Sequence, residues 1–180
     1  LEPCPEEKIR GIIGLGLPEA VATLYPELPA APSQLLGERY SHHFLQKDAT
    51  PCDFYPGVED TLEVLKADGH HIAVATGKTR GGLDRVLGGL GLESYFHATR
   101  CADETRSKPD PLMLSELLVE LDYDVGDALM VGDTEFDLSM AARLGMRRIG
   151  VSYGAHPHER LSRHQPEAIV DNINELLTLI

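Results

Sequence analysis

Four side chains between residues 76 and 137 have the types and settings to handle a phosphate group. Thr76 ends the run "HIAVAT" and is followed by Gly77, whose missing side chain lets backbone N–H groups approach an anion. Lys108 stands in "RSKPDP", a loop stiffened by Pro109 and Pro111. Asp133 and Asp137 lie in "ALMVGDTEFDLSMAARLG", the first at the tip of an apolar run and the second one turn into the helix that follows. A hydroxyl, a fixed ammonium and a carboxylate pair are what metal-assisted phosphoryl chemistry requires. The first two orient and neutralise phosphate oxygens, and the carboxylate holds Mg²⁺. A lone acid at a buried strand tip is costly unless something positive meets it, which assigns Asp133 to a metal ion. Asp137 is open to a second role, because Thr134-Glu135-Phe136-Asp137 has the spacing of a capping box.

Alternating strands and helices must position these residues. "HIAVAT" (71–76), "YFHATR" (95–100), "DALMVGD" (127–133), "RRIGVSYG" (147–154) and "AIVDN" (168–172) read as strands. Between them, "TRGGLDRVLGGLG" has Leu83, Val86, Leu87 and Leu90 at helical spacing, with Gly91 as its stop. "DPLMLSELLVEL" (110–121) takes Asp110 as N-cap and Pro111 as its first residue, and "INELLTLI" reads as a closing helix. Strands alternating with helices give an α/β fold with a parallel sheet, whose ligands bind beyond the carboxyl ends of the strands. Thr76 and Asp133 stand at such ends. The first fifty residues differ. Pro5 and Pro18 each open a short helix, a third runs from Ser33 to Gln46, and no strand is legible. "DATPCDFYPG" (48–57) is turn-rich and divides a helical unit, 1–52, from the α/β unit, 53–180.

Composition narrows the function. A formal net charge of −13 on 180 residues argues against non-specific nucleic-acid binding, which needs a basic face. No apolar stretch reaches the roughly 20 residues of a membrane span. Cys4, Cys52 and Cys101 lie far apart, as expected of reduced thiols in a cytoplasm. "GKT" (77–79) fails as a P-loop because the earlier glycine would fall at Ile72, and "GLGLPE" (14–19) follows no strand and lacks the third glycine of a dinucleotide fingerprint. His156 and His158 flank Pro157 and read as a polar loop rather than as ligands.

The order Thr76, then Lys-Pro-Asp-Pro (108–111), then Gly-Asp-x-x-x-Asp (132–137) resembles motifs two, three and four of the haloacid dehalogenase superfamily. "YPGVEDTLEVLKADGHHIAVATGK" and "GVSYGAH" are most similar to its phosphoglycolate phosphatase-like branch. The resemblance spans about residues 55–180, and residues 1–50 are similar to the latter part of the branch's helical cap. It implies a Rossmann-like parallel core, Mg²⁺ held by Asp133, Thr76 and Lys108 as catalytic residues, and Gly77 and Lys78 beside them on the phosphate, with Asp137 in support. The implied substrate is a small phosphorylated metabolite, hydrolysed in two steps through an aspartyl-phosphate. A phosphomutase, a metal-free dehalogenase and an inactive binding relative are the alternatives. The family's first motif, Asp-x-Asp-Gly-Thr, does not occur; the one Asp-x-Asp, Asp122-Tyr123-Asp124, lies in a helix-to-strand loop. That motif ends a central strand. The expectation is therefore a chain that starts at Leu1 without its first strand, its nucleophile and its first cap helix, and that leaves two interior strand edges unpaired.

Overall fold

The computed structural model describes residues 1–180, folded as helices α1 (Glu6–Arg10), α2 (Leu17–Leu24) and α3 (Ala30–Gln46), then an alternating series. That series is α4 (Val58–Ala67), β1 (Ala73–Thr76), α5 (Arg80–Leu90), β2 (Ala98–Cys101), α6 (Leu112–Leu121), β3 (Leu129–Gly132), α7 (Glu135–Leu144), β4 (Arg147–Val151), α8 (His158–Ser162) and β5 (Ala168–Val170). Local signals set the ends. Thr79 caps α5 by accepting the Gly82 N–H, and Gly91 and Gly145 stop α5 and α7 in the left-handed region, at φ 69° and 73°. At α6 the boundary moves by one residue. Pro111 is the N-cap and makes no side-chain bond, while Asp110 Oδ1 still accepts the Leu112 N–H at 3.0 Å.

All strand pairs are parallel, as the alternation requires, but they form two sheets: β1 with β2, and β3-β4-β5. The facing edges of β1 and β3 are not paired with each other. Between them lies a slot of about 640 Å³, lined by Ala73 to Ala75 on one side, Leu129 to Val131 on the other, and leucines of α4 and α6. The largest buried cluster closes one face: Met113, Leu114 and Leu117 of α6 meet Met140 and Ala141 of α7 and Met146. Ile149, Val151 and Val170 pack on Leu176 across the β4–β5 pair. Each such side chain contributes about 1.5–3 kcal/mol by leaving water. Leu176 belongs to a 3₁₀ segment, Ile173–Thr178, where an α-helix was expected. Thr61 anchors the segment by donating to Asn174 Oδ1. Residues 1–47 contribute no strand; α3 packs on α2 and α5 but buries no residue fully.

Candidate active site

Three loops at the carboxyl ends of β1, β2 and β3 meet around one turn. In the first, Thr76 Oγ1 accepts the Lys78 N–H at 3.1 Å, which bends the chain sharply and leaves the hydroxyl proton free to donate. The second carries Lys108, whose side chain is 6 % exposed and whose ammonium donates to Asp137 Oδ1 at 2.5 Å. The third, after β3, carries Asp133. Asp137 ties the second loop to the third, because its other oxygen accepts the N–H and the hydroxyl of Thr134 at 3.1 and 2.6 Å. Asp137 therefore closes the capping box of α7, as its spacing suggested, and also fixes the lysine, which the sequence did not indicate.

The turn at the centre is Gly14–Leu15–Gly16, from the helical unit. Gly16 donates its N–H to Ser107 Oγ at 2.7 Å, beside Lys108. A Cβ on Gly77 would strike the carbonyl oxygens of Gly14 and Leu15, and one on Gly14, at φ +104°, would stand 2.8 Å from Thr134 Oγ1. Only glycines permit this approach of backbone to backbone. Thr76–Gly77, Lys108 and the Asp133–Thr134 turn, far apart in sequence, thus border one region. Beside it opens a cavity of about 400 Å³ lined by Leu17, Glu19, Gly77, Thr79, Arg106 and Ser107, among others. Lys78 does not line this cavity: it is exposed, with its ammonium 5.3 Å from the centre of the Phe44 ring.

Asp133 is held from the opposite side by "GAH" (154–156). The Ala155 N–H donates to Asp133 Oδ2 at 2.8 Å, which leaves Oδ1 for another partner. A Cβ on Gly154 would overlap the Asp133 side chain. The negative charge is felt nearby: the Tyr153 phenol is pushed above its ordinary range, first by burial and then by Asp133. His156 is no exposed polar loop, as its sequence setting suggested, but is 1 % exposed. Its N–H donates to the Asp133 carbonyl at 3.1 Å and its Nδ1 accepts the Glu135 N–H at 3.0 Å. Burial, then the Arg160 guanidinium, hold this imidazole below its ordinary pKa. His158, by contrast, is the exposed first residue of α8.

The donor chemistry suits a hard dication, since Asp133 keeps a carboxylate oxygen, Oδ1, without a hydrogen-bond partner. It is a partial set: no group of three His, Cys, Asp or Glu side chains converges anywhere in the chain. Two parts of the site escaped the sequence reading. The Gly14–Gly16 turn left only its glycines as a signal, and those had been weighed for another motif. The Gly154–His156 segment left a glycine after a strand end, which marks close approach without saying to what.

Comparison with known proteins agrees with this geometry. Residues 1–151 match the family of haloacid dehalogenase-like hydrolases. The chain is 34 % identical over 174 residues to the probable phosphatase IndB of Dickeya dadantii, with 94 % of this chain and 75 % of the relative covered. It is 30 % identical over 155 residues to the phosphoglycolate phosphatase of Pectobacterium atrosepticum, covering 86 % of this chain and 66 % of that one. Among solved structures, that of a predicted phosphatase from Clostridium acetobutylicum superposes with a TM-score of 0.87 at 25 % identity, covering 99 % of this chain and 83 % of the other. That of a predicted phosphoglycolate phosphatase from Haemophilus somnus gives 0.85 at 24 % identity, covering 99 % and 84 %, and bears on the fold alone. With the carboxyl-end loops, the buried lysine pair and the parallel strands in place, the chain belongs to the haloacid dehalogenase-like hydrolase family.

Proposed function

We propose that the protein is a Mg²⁺-dependent phosphatase of a small phosphorylated metabolite, a phosphomonoester of the phosphoglycolate kind. The observation that carries this reading is the Lys108–Asp137–Thr134 network, which sets a buried ammonium beside the Asp133 turn at the sheet's carboxyl end. A cavity of about 400 Å³ next to it suits a small leaving group. The relatives named phosphatases point the same way.

In this reading Thr76 donates its hydroxyl proton to a phosphoryl oxygen, and Gly77 lets the Gly14–Leu15 backbone close over that position. Lys108, unable to swing because Asp137 grips it, offsets negative charge where several anions meet. Lys78, exposed between Gly77 and Thr79, adds positive charge nearby. Asp133 would hold Mg²⁺, which when bound draws charge from the phosphoryl oxygens. The attacking carboxylate lies outside residues 1–180, on a strand that fills the slot between β1 and β3. A parallel strand there would end between Thr76 and Asp133. Its carboxylate oxygen bonds to phosphorus as the ester P–O bond breaks, and the leaving oxygen takes a proton. Water then cleaves the acyl phosphate and releases inorganic phosphate.

The test is hydrolysis of a panel of phosphomonoesters by the intact protein, followed as phosphate release with Mg²⁺ and with a chelator. Turnover that needs Mg²⁺ and is lost in Asp133→Asn is expected. Equal turnover in the chelator, or an unaffected Asp133→Asn, would sink the reading.

A further inference from the structure

His156 is the only imidazole the chain buries. It bridges two backbone groups of the turn that carries Asp133, donating from its own N–H to the Asp133 carbonyl and accepting the Glu135 N–H at Nδ1. Glu135 opens α7, and its N–H is among the four that a helix start leaves without an intrahelical partner. Thr134 and Asp137 serve the rest of this turn from within it. His156 serves Glu135 from a segment 21 residues away. The residue before it holds Asp133 Oδ2. Phe136 packs edge-on against the ring, 5.4 Å between centroids, and sets its plane.

The other ring nitrogen, Nε2, is buried without a well-formed hydrogen bond, with only a weak contact to the Arg10 backbone. Buried polar atoms are nearly always paired, so the firm bond at Nδ1 is the one that accounts for an imidazole here. A phenyl ring would fill the same space. It could not accept the Glu135 N–H.

We infer that His156 is a positioning residue for Asp133: through Nδ1 and its backbone N–H it clamps the 133–135 turn, and so fixes where the Asp133 carboxylate stands. The inference rests on the reading of Asp133 as a metal ligand. In metal sites, the groups that orient a ligand matter nearly as much as the ligand itself. The clamp comes from beyond β4, so it also couples the position of Asp133 to the β4–α8 connection rather than to its own helix alone.

Two substitutions separate acceptor from ring. His156→Phe retains the packing on Phe136 and removes the acceptor; the Glu135 N–H that it strands should lower the melting temperature without metal only modestly. His156→Asn sets an amide oxygen near the place of Nδ1. In the intact protein, His156→Phe should raise the Mg²⁺ dissociation constant measured by titration calorimetry about 10- to 100-fold, with faster hydrogen exchange at the Glu135 amide. His156→Asn should recover most of both. Wild-type Mg²⁺ affinity in His156→Phe would overturn the positioning role alone. So would a loss that follows the melting temperature and that Asn does not rescue. A wild-type protein that takes up no Mg²⁺ would overturn the phosphatase reading, and this inference with it.

Discussion

The Lys108 and Asp137 side chains meet inside the protein, 6 % and 5 % exposed, from a loop and a helix start 29 residues apart. Neither can be changed without stranding the other. Asp137 is an acceptor for three donors: Lys108 Nζ, the Thr134 N–H and the Thr134 hydroxyl. An Asn there must turn its amide N–H₂ toward at least one of them. Asp137→Asn is therefore expected to destabilise the fold by about 3–5 kcal/mol, the usual result of breaking a buried ion pair. Denaturant titration of the variant measures the loss.

Lys108→Ala should lower kcat about 10²–10³-fold, because a fixed cation aimed at developing charge is being removed. The same variant will lose stability from the unpaired Asp137. Rates need measuring at a temperature where circular dichroism shows it folded, and an unchanged kcat there would remove Lys108 from the chemistry.

Gly154→Ala tests the grip on Asp133. The new methyl would occupy the space of the Asp133 side chain, and one of the two must move. Overpacking of this kind costs about 1–3 kcal/mol. The distinguishing readout is Mg²⁺: the concentration needed for half-maximal phosphatase activity should rise well above that of wild type.

A different pair reports on acid. Glu104 accepts two hydrogen bonds from Arg80, at 2.8 and 2.7 Å, and these hold its carboxyl down at about 2. A carboxylate whose folded pKa is depressed contributes stability above its unfolded value, and that stability fades as pH falls toward the folded one. The wild type should thus lose an advantage over Glu104→Gln between the ordinary glutamate range and about pH 2. The pair is about a third exposed, so the gap at neutral pH should be modest. Parallel melting curves of the two proteins, which converge at low pH if the pair matters, would settle it.

Residues 1–180 alone should turn over no phosphomonoester under conditions in which the intact protein does. No carboxylate in the chain follows the pattern expected of the nucleophile, and the slot that would seat it lies open. Comparable turnover by the two would place the nucleophile within these residues.

What the sequence made legible is what neighbouring residues decide. The capping box Thr134–Asp137, the glycine stops at Gly91 and Gly145, and the parallel alternation each depend on a few consecutive side chains, and all are present. The grip of Asp137 on Lys108 and of His156 on Glu135 depends on where crossovers return the chain, and no local pattern encodes that distance. His156 shows the limit well. Between Pro157 and a glycine–alanine pair it has the company of a surface loop, and only the return of β4 beside β3 buries it.

The open slot also governs how residues 1–180 behave in solution. The facing edges of β1 and β3 are rows of backbone donors and acceptors set in apolar walls, and such edges pair with whatever extended chain reaches them. At high concentration the readiest candidates are strands of neighbouring molecules. Sedimentation of these residues by themselves should then show self-association that grows with concentration, and that recedes once a matching strand occupies the gap.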